Sequence, residues 1–301
     1  MHPATDIPIP GWLARVYPFT PRSFKTPRGA RMSYLDEGPR VDEAVVMLHG
    51  NPTWSFFYRN LIRELAPRLR CIAPDHIGMG LSAKPQDYDY TLTTRIADIE
   101  ALVASLGLRR VNLVVHDWGG AIGCGFATRH PDMIGRIVVL NTAAFPAQRI
   151  PLRIALCRIP GLGPLLVRGL NGFAWPATWM AMKLRALAPD EKRSYLFPYD
   201  SWANRVAVNA FVRDIPLRPT HPSYATLEAI GRGLAKLQDR PVLIVWGGRD
   251  FCFDRYFFER WLKFFPNAEE NLLERAGHYV LDDAGTAAID PILEFLLRGP
   301  R

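Results

Sequence analysis

Residues 111–123 read VNLVVHDWGGAIG, an apolar strand pattern that ends at Asp117 and runs directly into a helical pattern. A sharp turn between a strand and a helix exposes its central side chain above a sheet. Gly119 and Gly120 follow the turn, where small residues let the helix pass close to the strand. The stretch therefore predicts a nucleophile elbow with Asp117 at its tip. Val115 stands where the usual motif has its first glycine, and Asp117 stands where it has serine.

The aspartate changes the chemistry that the elbow predicts. A carboxylate attacks a saturated carbon or a strained ring and forms an ester, whereas a serine in this place would attack a carbonyl. We therefore expect a substrate that carries a leaving group. The alternative is that Asp117 is only a helix N-cap beside two packing glycines, since aspartate is a favoured N-cap.

A second motif, VVMLHGNPTWSFFYR at residues 45–59, is an apolar strand followed by a loop that contains Asn51. In a fold with this elbow the loop faces the nucleophile, and the backbone N–H groups of Asn51 and Trp118 would form an oxyanion hole. The Asn51 amide and the Trp118 indole are neutral donors that could hold a departing anion such as a halide. Turn chemistry for Asn51 and ordinary packing for Trp118 are the alternatives.

The general base is expected late in the chain, where ERAGHYVLDDA contains His278, the only histidine after His221. An imidazole held in the right tautomer can take a proton from water aimed at the ester carbonyl. Asp250, at the end of the strand pattern PVLIVWGGRD, is the predicted orienting acid.

Three other side chains compete for the role of the acid or surround it. Asp282 and Asp283 are rivals to Asp250, but their position suggests the start of a surface helix. Asn141 occupies the other place where this fold puts an acid, after the preceding strand, and an amide cannot ionise.

No motif indicates a metal or another cofactor. His49 and His116 are interpreted as structural, because HExxH motifs and carboxylate clusters at ligand spacing are absent from the sequence. The glycine-rich turn at residues 74–85 lacks the Lys-Ser/Thr ending of a phosphate loop. The four cysteines lie far apart without a CxxC pair, so we expect neither a zinc site nor a disulfide framework and infer a reducing, cytoplasmic setting. They are Cys71, Cys124, Cys157 and Cys252.

The composition is that of a globular protein, with 49% apolar and 22% charged residues among 301. The net charge is +8, but the basic residues are scattered without a run of five, so we expect no nucleic-acid partner. The N-terminus MHPATDIPIPGW lacks the apolar region of a secretory signal. The longest uncharged stretch, residues 169–182, is too short for a transmembrane helix.

Eight short apolar runs alternate with longer helical patterns, which is typical of βαβ units around a mainly parallel sheet. The predicted strands are Ser23–Lys25, Met32–Leu35, Ala44–Leu48, Arg70–Ala73, Val111–Val115, Ile137–Leu140, Val242–Val245 and Asn271–Leu273. The predicted flanking helices are Thr53–Leu65, Thr91–Leu106, Ala121–Arg129, Asp254–Phe265 and Thr286–Leu297. With the elbow, these patterns predict an α/β class protein of the α/β-hydrolase fold with an eight-stranded, mostly parallel sheet.

The alternation of strand and helix patterns stops between residues 146 and 213, where prolines, glycines and arginines interrupt apolar segments and no strand pattern is present. We interpret residues 146–213 as an inserted helical cap. Residues 1–145 and 214–301 are then the two parts of one hydrolase core.

Five segments together resemble the haloalkane dehalogenases with Asp-His-Asp triads and an Asn plus Trp halide pair. They are HGNPTWSF, APDHIGMGLSAKP, VVHDWGGAIG, WGGRDF and GHYVLDDA. The resemblance spans the chain and implies that Asp117 displaces the leaving group, His278 activates water, Asp250 orients His278, and Asn51 with Trp118 binds the halide. The usual arginine of the PD-R-x-G-x-G pattern is replaced by His76-Ile77.

The cap segments RIALCRIPGLGPLLVRGLNGFAW, FPYDSWANRVAVNAFVRDIPL and HPSY look like the β-lactone decarboxylases of bacterial long-chain olefin biosynthesis, which share the dehalogenase active site. This closer resemblance implies that Asp117 attacks a small hydrophobic cis-β-lactone and that CO2 and a long-chain cis-alkene leave. It leaves open whether attack falls on the acyl or the alkyl carbon. It also implies an assembly with other olefin-biosynthesis enzymes and peripheral association with the inner face of the membrane. A homo-oligomer is a separate expectation that this resemblance does not supply.

Three other functions are alternatives. A haloalkane dehalogenase would hydrolyse haloalkanes to an alcohol and halide. An epoxide hydrolase would use the same nucleophile but needs cap tyrosines to protonate the ring, for which Tyr195 and Tyr199 are candidates. A non-catalytic receptor on a hydrolase fold is the third, since a fold does not imply an activity.

Overall fold

The computed structural model describes residues 9–299. Residues 1–8 and 300–301, which include most of the N-terminal segment assessed for a secretory signal and the ends of the predicted core, lie outside the described residues.

Eight strands form one sheet in the order β1-β2-β4-β3-β5-β6-β7-β8. β1 and β4 pair antiparallel with β2, and the other pairs are parallel. The strands are β1 Arg22–Lys25, β2 Arg31–Glu37, β3 Glu43–Leu48, β4 Cys71–Pro74, β5 Arg110–Asp117, β6 Ile134–Thr142, β7 Val242–Gly247 and β8 Glu269–Leu273. The predicted fold class is confirmed, and each predicted strand overlaps an observed one.

Both faces of the sheet are buried because the central strands are apolar at every position. Along β5, Leu113 and Val115 pack into the core on one face and Val114 into the core on the other. Successive side chains of a strand point to opposite faces, so an uninterrupted apolar run fills two cores at once. This is why the strands could be located from composition alone.

The α-helices of the core pack on the two faces of this sheet. They are Gly11–Ala14, Arg59–Leu65, Leu92–Ser105, Trp118–Arg129, Tyr224–Gly233, Arg255–Phe264, Val280–Asp283 and Thr286–Leu297. Single 3-10 turns cover Ser55–Tyr58, Pro131–Met133 and Leu234–Leu237. The helix Tyr224–Gly233 was not predicted from the sequence. The helix after the elbow was predicted to begin at Ala121, whereas it begins at Trp118.

Residues 146–213, all of them described, contain helical segments without a strand. Val208 and Phe211 of this region contact Asn51 and Trp118, which follow the carboxyl ends of β3 and β5. The segments are Leu152–Leu156, Leu162–Pro164, Leu165–Gly169, Ala174–Met180, Pro189–Leu196, Phe197–Tyr199, Ala203–Arg205 and Val206–Arg213. We call residues 146–213 the cap. The boundaries of the cap and the core as separate units stay predictions.

Among the helices of residues 9–299, none is long and apolar enough to cross a membrane.

Candidate active site

Asp117 ends β5 at a tight turn, where its backbone has a φ of 51°. Residues other than glycine rarely adopt such a positive φ, so the surrounding structure must hold the turn. The helix after the turn passes so close to β3 that a Cβ at Gly119 would overlap the carbonyl oxygen of Leu48. A Cβ at Gly120 would overlap the hydroxyl of Thr142. The two glycines are therefore required by close packing, as the elbow interpretation expects.

The carboxylate of Asp117 is buried and its two oxygens differ. Oδ1 accepts a hydrogen bond from the backbone N–H of Asn51 at 2.6 Å, and the backbone N–H of Trp118 also donates to the carboxylate. Oδ2 lies 3.8 Å from Nε2 of His278. Burial raises the pKa of Asp117, while the charge of His278 and the two N–H donors act in the opposite direction. One oxygen is thus held in place, and the other is left to react.

His278 lies on the loop after β8, and its ring joins the two aspartates. Its Nδ1 lies 2.7 Å from Oδ2 of Asp250, which follows β7. Burial disfavours the imidazolium, but the Asp250 carboxylate, its hydrogen bond and Asp117 outweigh burial, so the pKa of His278 is raised. With its proton on Nδ1, the neutral ring presents a lone pair at Nε2 toward Asp117. This is the geometry of a general base.

Asp250 is held by two further groups. Its Oδ2 also accepts from the Asn141 side-chain amide at 3.0 Å, and its Oδ1 accepts from the backbone N–H of Cys252 at 2.6 Å. Asn141 sits where an acid was considered, and it donates a hydrogen bond to the acid that the next strand supplies. The amide therefore helps to fix the carboxylate without competing for the proton.

Asn51 and Trp118 also present side chains to the same cavity. The Asn51 amide nitrogen donates to the carbonyl oxygen of Val208 in the cap at 3.1 Å, which leaves its second N–H available. Trp118 packs against Phe211 of the cap with ring centroids 5.3 Å apart. The structure thus brings all five candidate residues to one site: Asn51, Asp117, Trp118, Asp250 and His278.

The site opens into a cavity of about 270 Å³ between the core and the cap. Asp117, Trp118 and His278 line this cavity together with apolar cap side chains such as Ile154, Phe173 and Met180. A cavity of this kind suits a small apolar ligand whose polar group meets a few placed donors.

The alternative site residues are engaged elsewhere. Tyr195 donates to Oδ2 of Asp282 at 2.5 Å, and the Tyr199 hydroxyl lies 3.4 Å from the carbonyl oxygen of Thr53. Neither tyrosine is among the side chains that line the cavity. The ring-protonating tyrosines that an epoxide hydrolase needs are therefore not supplied by these two residues.

The interpretation of Asp282 and Asp283 as the start of a surface helix is wrong. Both end the short helix Val280–Asp283, and the two residues are only 3% and 4% exposed. Asp282 pairs with Arg59, and Asp283 accepts hydrogen bonds from backbone N–H groups of the cap. Arg59 and the cap residues that bond these two aspartates lie about a hundred residues away in sequence or more, so the local pattern could not reveal the burial.

The two histidines interpreted as structural have backbone partners. Nδ1 of His49 lies 2.7 Å from the carbonyl oxygen of Gly50, and Nε2 of His116 lies 3.0 Å from that of His278. Burial lowers the pKa of His49 to about 3 and that of His116 well below its usual value. Within residues 9–299, no group of three or more His, Cys, Asp or Glu side chains could hold a metal ion.

Several residues that line the site were not predicted from the sequence. Phe251, Cys252 and Phe253 directly follow the acid and line the cavity, as does Tyr279 after the base. Their adjacency to Asp250 and His278 on loops at the carboxyl edge of the sheet was a usable signal. The cap residues that line the cavity are not adjacent in sequence to a predicted catalytic residue, so no such signal was available for them.

Comparison with known proteins places the site in context. A family model described as the α/β hydrolase fold matches residues 43–285. The cis-3-alkyl-4-alkyloxetan-2-one decarboxylase of Xanthomonas campestris pv. campestris is 43% identical over 295 residues, covering 94% of this chain and 98% of that protein. Haloalkane dehalogenase 2 of Mycobacterium tuberculosis is 30% identical over 296 residues, with coverage of 93% and 96%. The crystal structure of haloalkane dehalogenase DbeA from Bradyrhizobium elkani has a TM-score of 0.80 at 26% identity, with coverage of 89% and 94%.

Proposed function

The chain belongs to the α/β hydrolase fold family, and from this premise we propose that the enzyme decarboxylates a cis-β-lactone with two alkyl substituents to a cis-alkene and CO2. An oxetan-2-one, the ring in the name of the 43% identical relative, is a β-lactone. The observation that carries the proposal is the buried Asp117 carboxylate, with one oxygen fixed and the other directed toward His278 beside an apolar cavity.

In the first step, Oδ2 of Asp117 attacks the alkyl-substituted ring carbon that is bonded to the ring oxygen, not the carbonyl carbon. A bond forms between Oδ2 and this carbon, and the bond from the carbon to the ring oxygen breaks. The strained ring opens to an ester of Asp117 whose substrate part carries a carboxylate. The new carboxylate is the leaving group, and the second amide N–H of Asn51 and the indole N–H of Trp118 would receive this anion.

In the second step, the carbon–carbon bond to the carboxylate breaks and its electrons form the alkene. The bond between Oδ2 and the substrate breaks at the same time, so Asp117 is regenerated and CO2 is released. Atoms and electrons balance without water or another reactant. Attack inverts the ring carbon, and an anti elimination then gives the cis-alkene from the cis-lactone.

His278 offers the second candidate function, hydrolysis of haloalkanes. The alkyl ester that a haloalkane forms with Asp117 carries no carboxylate that could leave as CO2. Water must therefore attack this ester, with His278 as the base. Nε2 of His278 lies 3.8 Å from Oδ2 of Asp117, which favours this role. The higher identity to the decarboxylase than to the dehalogenase supports the lactone as the principal substrate.

Turnover in water enriched in oxygen-18 tests the proposed steps. Water that hydrolyses an ester attacks the carboxyl carbon of Asp117 and leaves labelled oxygen in the side chain. We expect the Asp117 peptide to stay unlabelled after many lactone turnovers. Label in this peptide together with alkene formation would contradict the fragmentation, and Asp117→Asn should form no alkene at all.

We extend the proposal to peripheral association of the cap with an anionic membrane surface. Residues 146–189 contain six basic residues and no acidic residue. Nine large apolar side chains in this range are exposed: Leu152, Leu156, Ile159, Leu162, Leu165, Leu170, Trp175, Trp179 and Leu184. Basic and apolar side chains on one surface favour an anionic bilayer. A long-chain lactone dissolves in such a bilayer, and the cap residues Arg149, Ile150 and Ile154 line the adjoining cavity.

Sedimentation with phosphatidylglycerol and phosphatidylcholine vesicles tests the membrane proposal. We expect binding to the anionic vesicles that falls severalfold in the double variant Leu152→Ser, Leu170→Ser. Val41→Ser removes an exposed apolar side chain of the core and should bind like the unchanged protein. Equal binding by both variants would contradict the proposal, as would self-association of the protein in place of vesicle binding.

A further inference from the structure

The carboxylate of Asp283 lies buried between the cap and the loop that carries His278. All five of its hydrogen bonds come from backbone N–H groups, which belong to four residues on two different segments. A carboxylate that accepts several N–H donors forms stronger bonds than a neutral acceptor. The arrangement therefore ties two distant segments to one side chain.

Three of the four donors belong to the cap. Oδ1 accepts from Lys183 at 2.9 Å, from Leu184 at 2.8 Å and from Arg185 at 3.2 Å. These residues follow the helix Ala174–Met180, whose Ala177 and Met180 line the cavity. Asp283 thus fixes the end of one wall of the cavity.

The fourth donor belongs to the loop of the base. Oδ2 accepts from the backbone N–H of Gly277, the residue before His278, at 2.6 Å. The N–H of Tyr279, the residue after His278, donates to the carbonyl oxygen of Ala181 at 3.1 Å. A Cβ at Gly277 would overlap that same carbonyl oxygen. The residues on both sides of His278 are therefore packed against the cap segment that Asp283 holds.

We propose that Asp283 is a positioning residue that sets the backbone of His278 and the adjoining wall of the cavity as one unit. His278 is further held by Asp250 at its ring and by His116 at its carbonyl oxygen. Asp283 is the member of this set that connects the base to the cap. The inference rests on the proposed role of His278 as the base.

Asparagine cannot replace Asp283 in this position. Its side chain offers one acceptor oxygen, and its NH2 group would face an N–H donor on the other side. The Asp283→Asn variant can therefore keep the hydrogen bonds from the cap or the hydrogen bond from Gly277, but not both. A buried N–H left without a partner is unfavourable, so the loop should shift.

The first test reads the ring of His278 directly by NMR in protein labelled with nitrogen-15 at histidine. The matched control is Glu191→Gln, because Glu191 contacts Arg59, Arg185 and Ala188 but not the loop of the base. We expect Asp283→Asn to shift or broaden the two ring nitrogen signals of His278, and Glu191→Gln to leave them unchanged. Unchanged signals in Asp283→Asn, or equal changes in both variants, would overturn the inference.

A second measurement on the unchanged protein covers the case in which Asp283→Asn fails to fold. If one carboxylate holds both segments, the amides of Gly277, Lys183 and Leu184 open together, and their hydrogen-exchange protection agrees within about tenfold. Fast exchange at Lys183 and Leu184 with protection retained at Gly277 would overturn the inference. No substrate enters either measurement, so a failure to form alkene would be a separate result that contradicts only the proposed function.

Discussion

The cap meets the core differently on its two sides. The base side, residues 181–196, is tied down by buried charges: Asp283 holds its backbone, and Arg59 bonds both Glu191 of the cap and Asp282 next to it. The other side, residues 149–173, which we infer to be the entrance of the cavity and call the mouth side, has exposed leucines. Its arginines bond mainly to carbonyl oxygens and to single exposed partners. Exposed pairs contribute little to stability, whereas buried and fully bonded ones hold one geometry. We infer from this difference that the wall beside His278 is fixed and that a long-chain substrate enters on the mouth side.

Removal of the base should have the largest effect and should separate the two reactions. In His278→Ala, hydrolysis of the ester formed from 1-bromobutane should fall by about a thousandfold or more, because water loses its base. Alkene formation from the lactone should stay within about tenfold, since the fragmentation needs no water. Intact-mass spectrometry should show the trapped adduct.

The absence of any adduct on Asp117 with reactive bromoalkanes would contradict its role as the nucleophile. Loss of alkene formation in His278→Ala, with the ester of the lactone trapped, would contradict the direct fragmentation.

Asp282→Ala should destabilise the base side strongly. Arg59 loses its buried ion pair with Asp282, and the Tyr195 hydroxyl loses its acceptor. Breaking a buried ion pair costs about 3–5 kcal/mol. Leu152→Ala, at a side chain 77% exposed on the mouth side, is the control and should change the free energy of unfolding by less than about 0.5 kcal/mol. Chemical denaturation measures both, and similar values for the two variants would remove the distinction between the sides.

The pH dependence should differ between the two reactions. Hydrolysis of an Asp117 ester needs neutral His278, whose pKa is raised above 6.5, so it should fall about tenfold per pH unit below that raised pKa. Alkene formation needs ionised Asp117, whose pKa burial raises from 3.8, and does not need neutral His278, so it should follow the titration of Asp117 instead. The pH profiles of the two reactions should therefore differ. Coincident pH profiles of the two reactions in single-turnover assays would show that His278 takes part in both.

A bulky side chain on the mouth side should change substrate preference with little change in chemistry. Cys157 is buried and lines the cavity, so Cys157→Trp should raise KM for long-chain lactones by about tenfold and leave kcat for short-chain lactones nearly unchanged. Leu156→Trp, at the neighbouring exposed position outside the cavity, is the matched control. An equal effect of both variants would place the entry route elsewhere.

The sequence reveals the core better than the cap for physical reasons. The strands of the sheet are buried on both faces, so their apolar runs identify them. The elbow could be recognised because Gly119 and Gly120 follow Asp117 directly in the sequence. Both glycines are required by close contacts, Gly119 with Leu48 of β3 and Gly120 with Thr142 of β6. The helix Tyr224–Gly233 was missed because its two glycines weaken the helical pattern, and the cap helices are mostly too short to show a period.

The five candidate site residues were found because each stands at the end of a strand or in the loop after it. Asp283 was misread because its role depends on N–H groups from Lys183 to Arg185, which only the folded chain brings to it. Asn141 was correctly excluded as an acid, but its hydrogen bond to Asp250 depends on the pairing of β6 with β7.

Decarboxylation of a β-lactone is tested by incubating the purified protein, in parallel, with a long-chain cis-β-lactone and with a set of bromoalkanes. Alkene is followed by gas chromatography and free bromide by ion chromatography. The account predicts alkene formation that is fast compared with bromide release. Bromide release without alkene would contradict it and would make the protein a haloalkane dehalogenase.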